Sequence, residues 1–135
     1  MRLGLDLRNR LVDAMASQLS GGMLALYDGR PALKVSTTAW QDPLVVVMLE
    51  SPAFGPSADG TATAPDLAPA PIQRTGEATW AQLLAADGSV LADVPVRTLD
   101  DPNAQPGDVL LDRTDCQQGG SCQLTRLTLT LPMQM

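Results

Sequence analysis

The sequence predicts a mainly β fold: an antiparallel β-sandwich or open barrel of about seven strands, with one N-terminal amphipathic helix. Three observations carry that expectation. Short apolar or alternating runs recur along the chain, and Gly, Pro and Asp punctuate them closely. Only one segment has a strong helical period, and no helix alternates with strands as a βαβ unit requires. The chain has 135 residues with 11 Gly and 11 Pro, a length that fits one domain around one core.

The helical period lies in residues 2–19. Leu3, Leu7, Leu11, Met15 and Leu19 fall four apart, with Val12 filling the stripe and Asp6, Arg8, Arg10, Asp13 and Gln18 facing elsewhere. Gly21-Gly22 then stops the helix, giving an N-terminal element over 1–20. Such a stripe can cover the chain's own sheet or pack on a neighbouring subunit, and spacing alone does not separate the two.

Residues 23–50 read as the first strands. Met23–Tyr27 is an apolar run closed by Asp28-Gly29-Arg30-Pro31, and Ala32–Trp40 partly alternates until Asp42-Pro43. Leu44–Leu49 is continuously apolar, as a central strand would be. Residues 51–75 are a Pro-rich extended loop or arm, because Pro52, Pro56, Pro65, Pro69 and Pro71 exclude a central ladder. A stretch of that kind is an ordinary long loop or one that orders against another subunit.

Residues 76–131 hold the strongest hairpin and the closing strands. Ala78–Leu84 and Ser89–Val94 flank Asp87-Gly88, a pair suited to a type I′ turn, and Pro95 places the return strand at an edge or ends it. Turns at Asp101-Pro102-Asn103 and Pro106-Gly107 precede Val109–Leu111. In the last segment Leu127, Leu129 and Leu131 alternate, while Leu124 is out of phase by one residue. A bulge near Thr125-Arg126 would bring Leu124 onto their face.

Composition narrows the function. There is no histidine, the usual general base and commonest metal ligand. The net charge is −6, from 13 Asp and 2 Glu, and many of the aspartates sit beside turn residues. That charge repels phosphate backbones, so no nucleic-acid partner is expected. The longest apolar runs are far too short to span a bilayer, and Arg2, Arg8 and Arg10 interrupt any signal-like N-terminus. No membrane partner is expected, and synthesis in a cytoplasm is. Aromatics are only Tyr27, Trp40, Phe54 and Trp80, so the core must be aliphatic and modest for its length. This favours support from neighbouring subunits.

An enzyme would have to use Lys34, the only lysine, or Glu50 and Glu77 as a carboxylate pair, and each of these reads as ordinary strand or edge chemistry. A carbohydrate-binding module would need exposed indoles, but Trp40 and Trp80 both read as core. We therefore expect no enzyme and no cofactor. The feature best able to carry chemistry is Cys116-Gln-Gln-Gly-Gly-Ser-Cys122. The glycines allow a disulfide worth roughly 2 kcal/mol, while free thiols and a metal shared across a symmetric assembly remain alternatives.

In the order of its segments the chain resembles small virion proteins of tailed bacteriophages. The resemblance covers most of the length. It runs from the amphipathic helix through Leu24-Ala-Leu-Tyr27-Asp-Gly-Arg-Pro-Ala, Ser51-Pro-Ala-Phe54-Gly55 and Asp59-Gly60-Thr61-Ala62. It continues through Gly76-Glu-Ala-Thr-Trp80-Ala-Gln-Leu, Val109-Leu-Leu-Asp112 and the Leu/Thr strand Leu124–Leu131. The resemblance implies a structural component assembled into the virion, a capsid decoration (cement) protein first and a neck, tail or baseplate subunit second. Its partners would then be itself, as a dimer or trimer, and the major capsid protein or another virion subunit. Candidate subunit contacts are Leu3, Leu7, Leu11 and Met15 on the helix, with Pro52, Phe54, Pro56, Pro65 and Pro69 in the arm. The cysteine loop departs from the family pattern.

Overall fold

The computed structural model describes residues 4–29, 42–49, 54–55, 57–58, 61–64, 69–104 and 108–130. Among these the chain is mainly β, with one helix, α1 (Leu5–Leu19), and twelve strands. Twelve stand where about seven were expected, because the loop-like stretches themselves pair in pieces of two or three residues. The expected strand at Ala32–Trp40, including Lys34 and Trp40, lies outside the described residues, as do Leu3, Glu50, Pro52, Pro56 and Pro65.

The main sheet is built around β1 (Met23–Tyr27) and β6 (Trp80–Leu84), which pair antiparallel over their whole length. β2 (Val45–Met48) flanks β1, and β7 (Val90–Thr98) flanks β6. β8 (Val109–Leu111) and β11 (Leu124–Arg126) complete the order β11-β8-β7-β6-β1-β2. The run Leu44–Leu49 thus forms an edge strand of this sheet rather than a central one. It reads as apolar because its outer side is covered. Val45 bridges Ile72, and the Gln73 amide donates to the Leu44 carbonyl at 2.8 Å.

β1 and β6 are interior neighbours in that order, and both of their faces are buried. Leu24, Leu26, Ala81 and Leu83 join the large core, while Ala25, Tyr27, Trp80 and Leu84 form a second cluster on the opposite face. Tyr27 and Trp80 lie directly opposite in register, with their rings stacked at 4.7 Å. The Trp80 Nε1–H donates to the Asp28 carbonyl at 3.0 Å, so the indole is buried without losing its hydrogen bond. Trp80 is core, as expected.

The β6–β7 hairpin forms where Asp87-Gly88 placed it, but not through a two-residue turn. The Gly88 amide donates to the Ala85 carbonyl, the Ala85 amide donates to the Ser89 carbonyl, and Gly88 takes φ 89°. This is the three-residue loop that needs left-handed backbone only at its last position. Asp87 fixes it by accepting from the Ser89 amide at 2.9 Å and from the Ser89 hydroxyl. A second irregularity follows, where Leu83 pairs with Ala92 and Leu84 with Val90, leaving Leu91 as the extra residue.

Pro95 lies within β7 rather than at its end. Up to Pro95 the strand pairs with β6, and from Val96 to Thr98 it pairs with β8, in parallel. The proline's missing amide therefore falls where β7 is still an edge. That parallel pair departs from the wholly antiparallel expectation. The C-terminal bulge is present between Leu124 and Arg126, and Leu124, Leu127 and Leu129 all enter the main core.

Beyond the bulge the chain leaves the main sheet. β12 (Thr128–Thr130) pairs with β3 (Thr61–Thr63), and α1 packs across that small sheet. The helix buries Val12, Ala16 and Leu19. The expected stripe is corrected here. Leu7, Leu11 and Met15 stand one row aside and are exposed at 46%, 39% and 37%. Short Ala16 allows the close approach that selects the neighbouring row. In the described parts of residues 51–75, one candidate contact is corrected. Phe54 is buried in the chain's own core, and Gly55 and Ala64 bond the Thr63 and Leu127 carbonyls. Ser57 ties the arm to the helix through the Asp13 carboxylate and the Asn9 carbonyl.

Helix and sheet meet at Gly21-Gly22. Gly21 takes φ 73°, and a Cβ on Gly22 would lie 2.1 Å from the Leu84 carbonyl oxygen. Gly22→Ala is therefore expected to lower the unfolding free energy by about 3 kcal/mol, whereas Gly21→Ala loses only about 1 kcal/mol to its backbone conformation. Urea denaturation of the two variants checks this, and a Gly22 variant as mild as the Gly21 one contradicts it.

Candidate functional site

The two cysteines lie at the ends of a loop held by two short strand pairings. β4 (Ala70–Pro71) pairs with β10 (Ser121–Cys122), and β5 (Gly76–Glu77) pairs with β9 (Asp115–Cys116). Cys122 faces Ala70 and Cys116 faces Gly76, so residues 117–121 arch over residues 71–75, five against five. The Gly120 amide closes a turn onto the Gln117 carbonyl at 2.9 Å. Ile72 donates to Gly120 and accepts from Gly119, and the Gln118 amide donates to the Thr75 hydroxyl at 3.0 Å. The arch is thus sewn to the strand beneath it.

Both cysteines are buried in the main core, and both are free thiols. They line one open cleft of about 290 Å³ with Ile72, Asp112, Arg113 and Asp115. Arg113 and Asp115 pair at its rim, and that contact holds the Asp115 carboxyl below its usual range. Burial, and then the Asp115 charge, push the Cys116 thiol up. Burial, and then the Cys116 charge, push Cys122 up to about 11. Both are therefore protonated near neutrality, the reverse of the lowered thiol of a disulfide oxidoreductase. Among the described residues no group of three or more His, Cys, Asp or Glu is placed to hold a metal ion.

Other polar side chains are joined in ways that spacing did not announce. Arg74 donates twice to the Asp28 carboxylate, at 2.8 and 3.2 Å, and once to the Asp42 carbonyl. Those bonds hold Asp28 low and pin the end of β1. Arg97 donates to the buried Asp108 at 3.1 Å and pairs with Asp101, closing the loop between β7 and β8. Gln82, fully buried on β6, bonds the Asp93 carboxyl opposite it, and burial pushes Asp93 up. Counting back from the Asp87-Gly88 turn would have placed residues 82 and 93 opposite each other. Of the candidate subunit contacts, Leu7, Leu11 and Met15 share one exposed row, Pro69 is exposed elsewhere, and Phe54 is buried. Glu77 is exposed on β5.

No protein-family model matches the chain, and neither the curated proteins nor the solved structures include a significant match. No helix among the described residues is long and apolar enough to cross a membrane.

The thiols give a signed pH dependence. The native state holds the Cys122 proton more tightly than the unfolded chain does, so reduced protein loses stability as pH rises from 9.0 to about 11. At about 1.4 kcal/mol per tenfold change in proton affinity, the ceiling is about 2–3 kcal/mol. Urea midpoints across that range in reductant should fall for the wild type and less for Cys122→Ala, whose remaining decline comes from buried Cys116 and Tyr27. Equal slopes would contradict the assignment.

Proposed function

We propose that this chain is a structural subunit of a tailed-phage particle, most directly a capsid decoration (cement) protein that binds and stabilises the head shell. One observation carries the assembly half of this reading. The helix commits Val12, Ala16 and Leu19 to its own core and leaves Leu7, Leu11 and Met15 as a continuous apolar row facing outward. Three large apolar side chains in one row favour a protein surface over water. The order of motifs along the chain supplies the particle half.

In this reading the helix row seats against a second copy, as a dimer or trimer, or against the major capsid protein. Many equivalent shell sites then turn modest single contacts into strong attachment. The net charge of −6 keeps such a subunit off packaged DNA. The sandwich or open barrel belongs to the same proposal, with the β3–β12 sheet and α1 closing over one face of the main sheet.

Electron microscopy of particles with and without the protein tests the reading. Density missing at regular sites over the shell supports decoration. An intact shell with a defective neck or tail overturns it in favour of the tail-associated role. Replacing Leu7, Leu11 and Met15 together by Ser should leave the melting temperature within about 2 °C of wild type, because the row is exposed. The same variant should weaken shell binding at least tenfold, measured by co-sedimentation with undecorated particles. Unchanged binding would remove the helix from the interface.

A further inference from the structure

We propose that Cys116 and Cys122 form an intrachain disulfide that locks residues 117–121 over the strand 71–75, with a low-molecular-weight disulfide as the oxidant. This inference rests on the arch alone and is independent of the particle reading.

The geometry makes the two thiols each other's natural partners. They stand at the two ends of the arch, each in one of the short pairings that anchor it, Cys116 opposite Gly76 and Cys122 opposite Ala70. The Gln117–Gly120 turn draws the two legs together, and both side chains line the same cleft. Cys116 lies close enough to act electrostatically on Cys122. Its sulfur otherwise makes only a weak 3.8 Å contact with the Thr114 carbonyl. Both cysteines are buried beside that open cleft, so a small oxidant reaches the sulfurs when the arch opens locally, without global unfolding.

The exchange balances in two steps. One cysteine loses its proton to solvent, and the thiolate attacks a sulfur of the oxidant. The oxidant's S–S bond breaks, a mixed disulfide forms and one small thiolate leaves. The second cysteine, deprotonated in turn, attacks the protein sulfur of that mixed disulfide. The Sγ–Sγ bond forms and the second small thiolate leaves. Two protein thiols are oxidised and one small disulfide is reduced to two thiols. Because burial keeps both thiols protonated, exchange is slow at neutral pH and quickens in alkali. The arch is therefore hydrogen-bonded in a reducing compartment and covalent in an oxidising one.

The test uses the full chain incubated with oxidised glutathione, then alkylated and digested with trypsin. Both cysteines fall in one peptide, Thr114–Arg126. The expected product carries no alkyl group and is lighter by two hydrogens than the reduced peptide. The oxidised chain should also melt about 5–10 °C above the reduced one. The double variant C116A/C122A should melt at one temperature in both buffers. Two alkyl groups, two glutathione adducts or a chain-to-chain crosslink would overturn the proposal. A disulfide that forms without raising the melting temperature would overturn the lock.

Discussion

The fold depends on the antiparallel contact between β1 and β6. These strands bury both faces at once, so every residue from Leu24 to Tyr27 and from Trp80 to Leu84 is withdrawn from water. With few aromatic side chains available, that two-sided burial concentrates the apolar area the domain needs. The Tyr27–Trp80 stack fixes its register from the second face, and the Gln82–Asp93 pair fixes that of the neighbouring β6–β7 hairpin. Gly22 sets the approach. Without a side chain there, the end of the helix can turn directly onto the Leu84 carbonyl and enter β1.

The remaining elements are arranged around this pair. β2 is held on its outer side by the Ile72 segment, and that same segment carries the cysteine arch. β7 passes from β6 to β8 at Pro95, so that β8 joins in parallel and the C-terminal strand follows. The bulge at Leu124–Arg126 then redirects the chain to β3, and the small β3–β12 sheet gives α1 its seat. The helix row left facing outward follows from that seat, because small Ala16 sits at the contact and the leucines beside it do not.

Much of this was legible in the residues. The Gly21-Gly22 stop, the Asp87-Gly88 hairpin, the core position of Trp80 and the C-terminal bulge each have a local cause that a sequence displays. What was not legible has a non-local cause. Whether Leu7 or Val12 faces the core depends on which surface lies opposite the helix, and periodicity holds no record of that surface. Leu44–Leu49 and Met23–Tyr27 are both apolar runs, and only the pairing partners decide which is central. The turn type was misread, yet the 82–93 pairing survives, because the extra loop residue and the Leu91 bulge offset each other. The cysteine pair was visible as spacing. The strand beneath it was hidden in a Pro-rich stretch that reads as loop.

We propose that the core organised by β1 and β6 carries a helix whose exposed apolar row seats against another protein surface. Hydrogen exchange by mass spectrometry, at low and high protein concentration and then with undecorated shells, tests it most directly. Residues 23–27 and 80–84 should exchange slowest throughout, at the rate of global unfolding. Residues 5–19 should exchange faster in the dilute chain and slow markedly when a partner surface is supplied. Helix amides as protected in the dilute chain as those of β1, and unmoved by either partner, would contradict it.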